Sequence, residues 1–246
     1  LPGYIHIPVA LIIGAFFGSV VAGISGLLKA YRGVHEVITT IMLNSIVMAI
    51  ADYLASGKLR EPGQFLTRTS EIAESARLPI FGNLPSGFFI AVLLGVFIWW
   101  VLGRTTSGFR IETVGRNRHA AWYSGIPVKR TVVSAMVISG AIAGLGGAIE
   151  TLGITYRYEP AFNLGLGFDG ITIALLGRVH PIGIIPGAIL IGGMRAGAAT
   201  MQFDAGLAPE IVDLLMALIL LFVTAPLITR FFKNSSNKSM TSGWGN

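Results

Sequence analysis

Glu36, Asn44 and Asp52 recur at a spacing of eight in a stretch that is otherwise almost wholly apolar. A helix through 35–54 places the three on one shared face, with Asn44 about 12 Å further along than Glu36 at 1.5 Å per residue. Polar and ionisable groups in such surroundings are costly, and they turn toward a bundle interior or a water-filled cavity. Two readings of the stripe stand: the lining of a path for a polar solute, or a hydrogen-bonded seam between helices. Glu36, at the start of the helix, also complements the positive end of the helix dipole. Asp169 and Glu150 are further candidates, each able to act instead as a capping group. Phe162 and Phe168 have the ring faces to stack a base or sugar.

Catalytic constellations fail on spacing. His35-Glu36 begins like the helical zinc motif H-E-x-x-H, but the second histidine position is Thr39, so two ligands cannot converge from one helix face. The four histidines, His6, His35, His119 and His180, show no paired spacing, and there is no cysteine. No metal site is expected. Gly165–Gly170 fits G-x-G-x-x-G, yet no acid follows about 20 residues on to hold a ribose. No G-x-x-x-x-G-K-[ST] occurs, so nucleotide phosphates have no P-loop here; if transport is driven by ATP, another polypeptide must bind it. An intramembrane enzyme would need convergent groups that the spacing does not supply. A passive channel or scaffold remains as a rival reading.

The elements that must carry these residues are set by composition. Hydrophobic residues make up 53% and charged residues 12%, about half the charge of a soluble domain, and the mean hydropathy is +0.71. That is too little polar surface to wet a globule, and the expected solvent is a bilayer. The net charge of +6 follows from basic loops on the cytoplasmic side. No aromatic-basic module for nucleic acid is present.

Five segments have the length and polarity to span: Ile5–Leu28, His35–Leu54, Ser86–Leu102, Thr131–Leu152 and Glu210–Ile228. Loop 103–130 carries six Lys or Arg against one acid, whereas loop 55–84 carries four against three. The first is therefore expected in the cytosol, together with the polar tail 231–246, and the second outside. Region 165–199 is apolar but interrupted by Arg178, His180, Pro181, Pro186 and Arg195. To return the tail to the cytosol it must cross twice or not at all, as two short helices hinged near Arg178–Pro181. Leu1 comes out external, which implies a missing span upstream. The expected fold is an all-α polytopic transmembrane bundle, one domain over 1–230, with a broken or re-entrant helix pair near 165–199.

Small residues mark faces for close packing in lipid: Gly14, Gly18, Ala22 and Gly26; Gly140, Gly144 and Ala148; Gly193 and Gly197. In the cytoplasmic loop, Asn117 is an N-cap, Gly125 suits the C′ position and Pro127 stops continuation. A helix of two turns fits between, with Ala120 and Ala121 as a close-approach face. A helix that short is unstable alone, and gains most from being pressed against its own bundle or a partner.

Four stretches carry a resemblance. Glu36-Val-Ile-Thr-Thr-Ile-Met-Leu-Asn44, Gly115-Arg-Asn-Arg-His-Ala-Ala-Trp-Tyr-Ser-Gly-Ile126, Ser139-Gly-Ala-Ile-Ala-Gly-Leu-Gly-Gly-Ala148 and Gly167-Phe-Asp-Gly-Ile-Thr-Ile-Ala-Leu-Leu-Gly177 resemble, in order, the permease subunits of bacterial ATP-binding-cassette importers of the nucleoside and simple-sugar branch. The resemblance implies a multi-pass protein of the bacterial cytoplasmic membrane, not an enzyme, that translocates nucleosides or related solutes. It implies further helices upstream. It implies a cytosolic ATPase gripping Gly115, Asn117, Ala120, Ala121, Tyr123 and Gly125, a second permease subunit, an external solute-binding protein, and no cofactor bound directly.

Overall fold

The structure, a computed structural model, describes residues 3–63, 67–82, 84–160, 165–206 and 211–222. It divides into two compact units, Leu1–Phe162 and Asn163–Asn246. In the first unit the helices are α1 (Gly3–Arg32), α2 (Glu36–Ser56), α3 (Ser86–Arg104), α4 (Thr106–Arg116), α5 (Arg118–Tyr123) and α6 (Val128–Glu150), which runs on into a π turn, Thr151–Thr155. A two-residue ribbon, Ile80–Phe81 with Leu84–Pro85, is the only paired-strand element among the described residues. The second unit holds α7 (Leu166–Leu176), α8 (Pro181–Ala205) and α9 (Ile211–Phe222).

Among the described residues five helices are long and apolar enough to cross a membrane: α1, α2, α3, α6 with its π turn, and α8. Helices dominate because hydrocarbon offers no partner to a free N–H or C=O, so each spanning segment must satisfy its own backbone. Side-chain hydroxyls follow the same rule. Ser19, Thr40, Ser45 and Ser56 each bond the carbonyl one turn back.

Four expected spans match α1, α2, α3 and α6 within a few residues. The fifth, Glu210–Ile228, lies partly outside the described residues, and the tail 231–246 lies wholly outside them. The hinged region breaks into a helix pair at Arg178–Pro181 as expected, where Arg178 and Val179 take left-handed backbone angles; only the expected shortness of both arms is corrected. α7 has 11 residues, about 16 Å, while α8 has 25 and is long enough to span alone. Pro181 opens α8 at a position where the missing N–H costs nothing.

α1 and α6 lie antiparallel along a glycine seam. A methyl group on Gly18 would overlap the Gly140 carbonyl oxygen and sit 2.9 Å from the Gly144 Cα; one on Gly14 would sit 2.8 Å from the Ala148 Cβ. The two small-residue repeats thus face each other. Gly193 and Gly197 are different: a methyl group on either meets nothing within 4 Å among the described residues. The close backbone contact of the second unit is instead between Gly177 and Gly183.

The helix ends of the first unit sort into two sets. The start of α1, the end of α2, the start of α3 and the end of α6 share one side with segments 57–63 and 67–82. There Ala76, Leu78 and Leu152 form a small core against Ile7, Leu11 and Ile90. The opposite ends share the other side with α4 and α5. In the second unit Ile191, Val212 and Met216 are buried together, with Ile173 packed on them.

Candidate functional site

On the basic side of the first unit, the loop 103–130 is almost entirely helical. Thr105 begins α4 by accepting a hydrogen bond from the Gly108 amide at 3.1 Å. Asn117 then ends α4 and starts α5 in extended backbone. Its Oδ1 accepts from the amides of His119 and Ala120, both at 3.0 Å. The other end of α5 is closed as strongly. Gly125 has φ +77°; its amide donates to the Trp122 carbonyl and the Ile126 amide to the Ala121 carbonyl, each at 3.0 Å. This is the paired bond pattern of a Schellman close. α4, a full three turns, had no signal in the expectation, which placed one helix between Asn117 and Gly125.

Successive α5 residues divide among three directions. Ala121 is completely buried, close to Val114 of α4 in exposure, and faces inward. The two alanines therefore do not face the same way: residues one apart on a helix point about 100° from each other, so Ala121 makes the close approach to its own bundle and Ala120 stays outside. Ala120 and Tyr123 share the outward direction, with Tyr123 81% exposed. Arg118, His119 and Trp122 turn to a cavity beside the starts of α6 and the end of α1. Gly115 is exposed near the end of α4.

The polar groups of α2 do not form one stripe. A spacing of eight leaves an offset of about 80° per step, so Glu36 and Asp52 end up on nearly opposite faces. Glu36 pairs with Lys29 of α1 across the turn between the two helices. Asp52 accepts a hydrogen bond from the Tyr158 hydroxyl at 2.7 Å. Burial, and then the Asp52 carboxylate beside it, push the Tyr158 phenol up to about 12. Asn44 is exposed, and its amide nitrogen lies 3.5 Å from Met48 Sδ, one turn along the same helix. α2 itself is nearly bare within its unit; only Thr39 and Ala55 are buried.

Asp169, in the first turn of α7, is 2.5 Å from Arg195 of α8, which also lies 3.9 Å from Asp213 of α9. Sequence reasoning treated Arg195 as an interruption and missed Asp213. The available signal was that a charge inside an apolar helix needs an opposite charge from a neighbour. Phe168 is exposed, Glu150 is the last residue of α6, and Phe162 lies outside the described residues. Among the described residues no three His, Asp or Glu converge as a metal site.

On the opposite side Arg157, following the π turn, pairs with Glu71 and lies 3.5 Å from Glu61. Arg77 bonds Glu71 at 2.6 Å and stacks 4.8 Å over the Tyr156 ring. These pairs, with backbone bonds from Thr69 to Tyr158 and Ile72 to Tyr156, tie segment 67–78 to the exit of α6.

Comparison with known proteins identifies a family. Residues 2–224 match the family described as branched-chain amino acid transport system, permease component. The chain is 40% identical over 248 residues to the guanosine ABC transporter permease protein NupP of Bacillus subtilis, covering 96% of this chain and 70% of that protein. It is 35% identical to the nucleoside ABC transporter permease protein NupB of Lactococcus lactis, covering 93% of this chain and 66% of that one. It is 27% identical to the glucose ABC transporter permease protein TsgB13 of Haloferax volcanii, covering 95% and 64%. No solved structure matches. With its apolar spans, its basic helical loop and a match over nearly its whole length, the chain belongs to this permease family, as a multi-pass membrane protein.

Proposed function

We propose that the chain forms part of the transmembrane pathway of an ATP-driven importer of nucleosides, with a cytosolic ATPase docking on α5. The observation that carries the docking is the build of α5. Six residues do not hold a helix in water, yet here both ends are closed by specific bonds and one face is buried. That leaves Ala120 and Tyr123 presented on a rigid base. Asn117, Ala121, Gly125 and Gly115 shape the presentation rather than the contact. The chain binds no ATP itself; the energy enters through this helix.

Glu36, Asn44, Asp52 and Asp169 keep different parts in this reading. Asn44, exposed at mid-helix, is the group best placed to meet a polar solute. Glu36, Asp52 and Asp169 hold helices through ionic or hydrogen-bonded partners. The bare apolar faces of α2 support pairing with a second permease subunit. The braced segment 67–78 supports landing by an external solute-binding protein. Nucleosides are preferred because two of the relatives above are named for guanosine and nucleoside transport. Sugar is the second reading, on the strength of the relative named for glucose.

The test is uptake into proteoliposomes holding the chain with its co-purified ATPase and binding protein. Labelled guanosine should accumulate with ATP, and glucose should not compete. In Gly125→Val a β-branched residue is forced to positive φ, at about 1–2 kcal/mol. ATP hydrolysis should continue while uptake fails. Wild-type uptake in Gly125→Val overturns the docking role, and flux without nucleotide overturns ATP-driven import.

A further inference from the structure

A cavity of about 490 Å³ is lined by Tyr31, Arg118, His119, Trp122, Pro127, Val128, Lys129 and Arg130. It gathers three cations that the docking reading leaves unused. Among the described residues Arg118, Lys129 and Arg130 form no ion pair. Glu112, the single acid of loop 103–130, is taken by Arg116 at 2.6 Å, and Lys129 lies 5.3 Å over the Tyr31 ring. Uncompensated positive charge gathered around a concave space suits an anion.

The depth of the cavity narrows the choice. Tyr31 is in the last turn of α1, and Lys129 and Arg130 in the first turn of α6. The cavity therefore sits where two spanning helices leave the hydrocarbon, at headgroup level. Tyr and Trp prefer this level because their rings are apolar at one end and polar at the other. Basic pockets there on the cytoplasmic side suit anionic lipid headgroups. Along α1 from the cavity into the membrane, Leu28, Leu27 and Ile24 stay exposed, at 36%, 49% and 43%. They form an apolar track on which an acyl chain can lie. A free phosphate would use the cations and leave this track unused.

We propose that the cavity between α5 and the inner ends of α1 and α6 binds the headgroup of an anionic phospholipid, with Arg118, Lys129 and Arg130 on the phosphate. The lipid then supports α5 from behind while Ala120 and Tyr123 face outward. The proposal requires the membrane setting and does not depend on the solute or on the ATPase.

The experiment is retention of labelled phosphatidylglycerol by the full-length chain in detergent, against phosphatidylcholine. Each cation near an anionic surface contributes about fivefold in affinity, so neutralising all three as Arg118→Gln, Lys129→Gln and Arg130→Gln should weaken retention roughly a hundredfold. Arg104→Gln with Arg110→Gln, two charges removed elsewhere in the same loop, should leave it unchanged. Lys129→Arg should retain the lipid. Arg118→Gln alone, on the exposed face of α5, keeps the test valid where the triple variant does not fold; it should cost about fivefold. Equal loss in the Arg104/Arg110 control, or equal retention of phosphatidylcholine, overturns the proposal. Displacement by soluble glycerol phosphate as readily as by the lipid assigns the cavity to a free phosphate and also overturns it.

Discussion

α1 with α6, and α2 beside them, are all apolar enough to span a membrane, yet they have opposite fates. The first two interlock so closely that Gly14, Gly18, Gly140 and Gly144 have no room for a methyl group. α2 stays exposed on nearly every face, with Val37, Ile41, Ile46 and Ile50 all more than half exposed. Hydrophobicity does not separate them, because lipid is as apolar as a leucine side chain and exerts no drive toward burial. What separates them is close backbone approach, which adds dispersion contacts and weak hydrogen bonds wherever side chains are small. α2 lacks glycine altogether, so its fixed points within the unit are polar: Lys29 at one end and Tyr158 at the other.

The largest predicted effect breaks the seam. Gly144→Leu must push the α1 backbone away and should destabilise by about 3 kcal/mol or more, read as a thermal shift in detergent. Gly146→Leu, two residues along on an open face where a methyl group meets nothing, should melt like wild type. Similar melting of the two variants would remove the seam from the account.

A smaller effect tests the polar anchoring of α2. In a double-mutant cycle, Asp52→Asn and Tyr158→Phe should couple by about 1–2 kcal/mol. The same pair sets an alkaline dependence. The folded phenol titrates at about 12 and the ordinary value is 10.0, so the folded state favours the neutral form. Its contribution is fully present below pH 10 and lost as pH rises through 12. Asp52→Asn should bring the phenol back toward its ordinary value, read by ultraviolet titration against Tyr158→Phe. An unchanged titration would leave the hydrogen bond without energetic content.

The smallest effect on stability belongs to Asn44. Asn44→Leu should shift the melt by no more than about 0.5 kcal/mol, as at other exposed positions, while guanosine uptake falls sharply. Uptake equal to wild type would make Asn44 a seam residue between subunits or an incidental one.

Much of this was legible because it depends on local rules. The spans follow from apolar length. Asn117 and Gly125 announce α5, because one offers an acceptor to free amides and the other accepts positive φ. The repeats at Gly14–Gly26 and Gly140–Ala148 announce packing faces. What the sequence left open shares one cause. A repeat such as Gly193–Gly197 looks the same in sequence as Gly140–Gly144, and which of them meets a facing backbone within its unit is decided between helices. Ala120 and Ala121 are chemically identical, and their 100° separation sends one inward and leaves the other outside.

By itself, then, the sequence determined a membrane-embedded helical chain with a basic, capped loop, since hydropathy, charge asymmetry and caps act within a few turns of chain. The tertiary structure decided which glycines meet, that Asp52 answers to Tyr158 and Asp169 to Arg195, and that three cations gather around one cavity. Those pairings join residues distant in the chain, and in lipid, where hydrophobic burial does not choose partners, shape and charge complementarity across helices must do so.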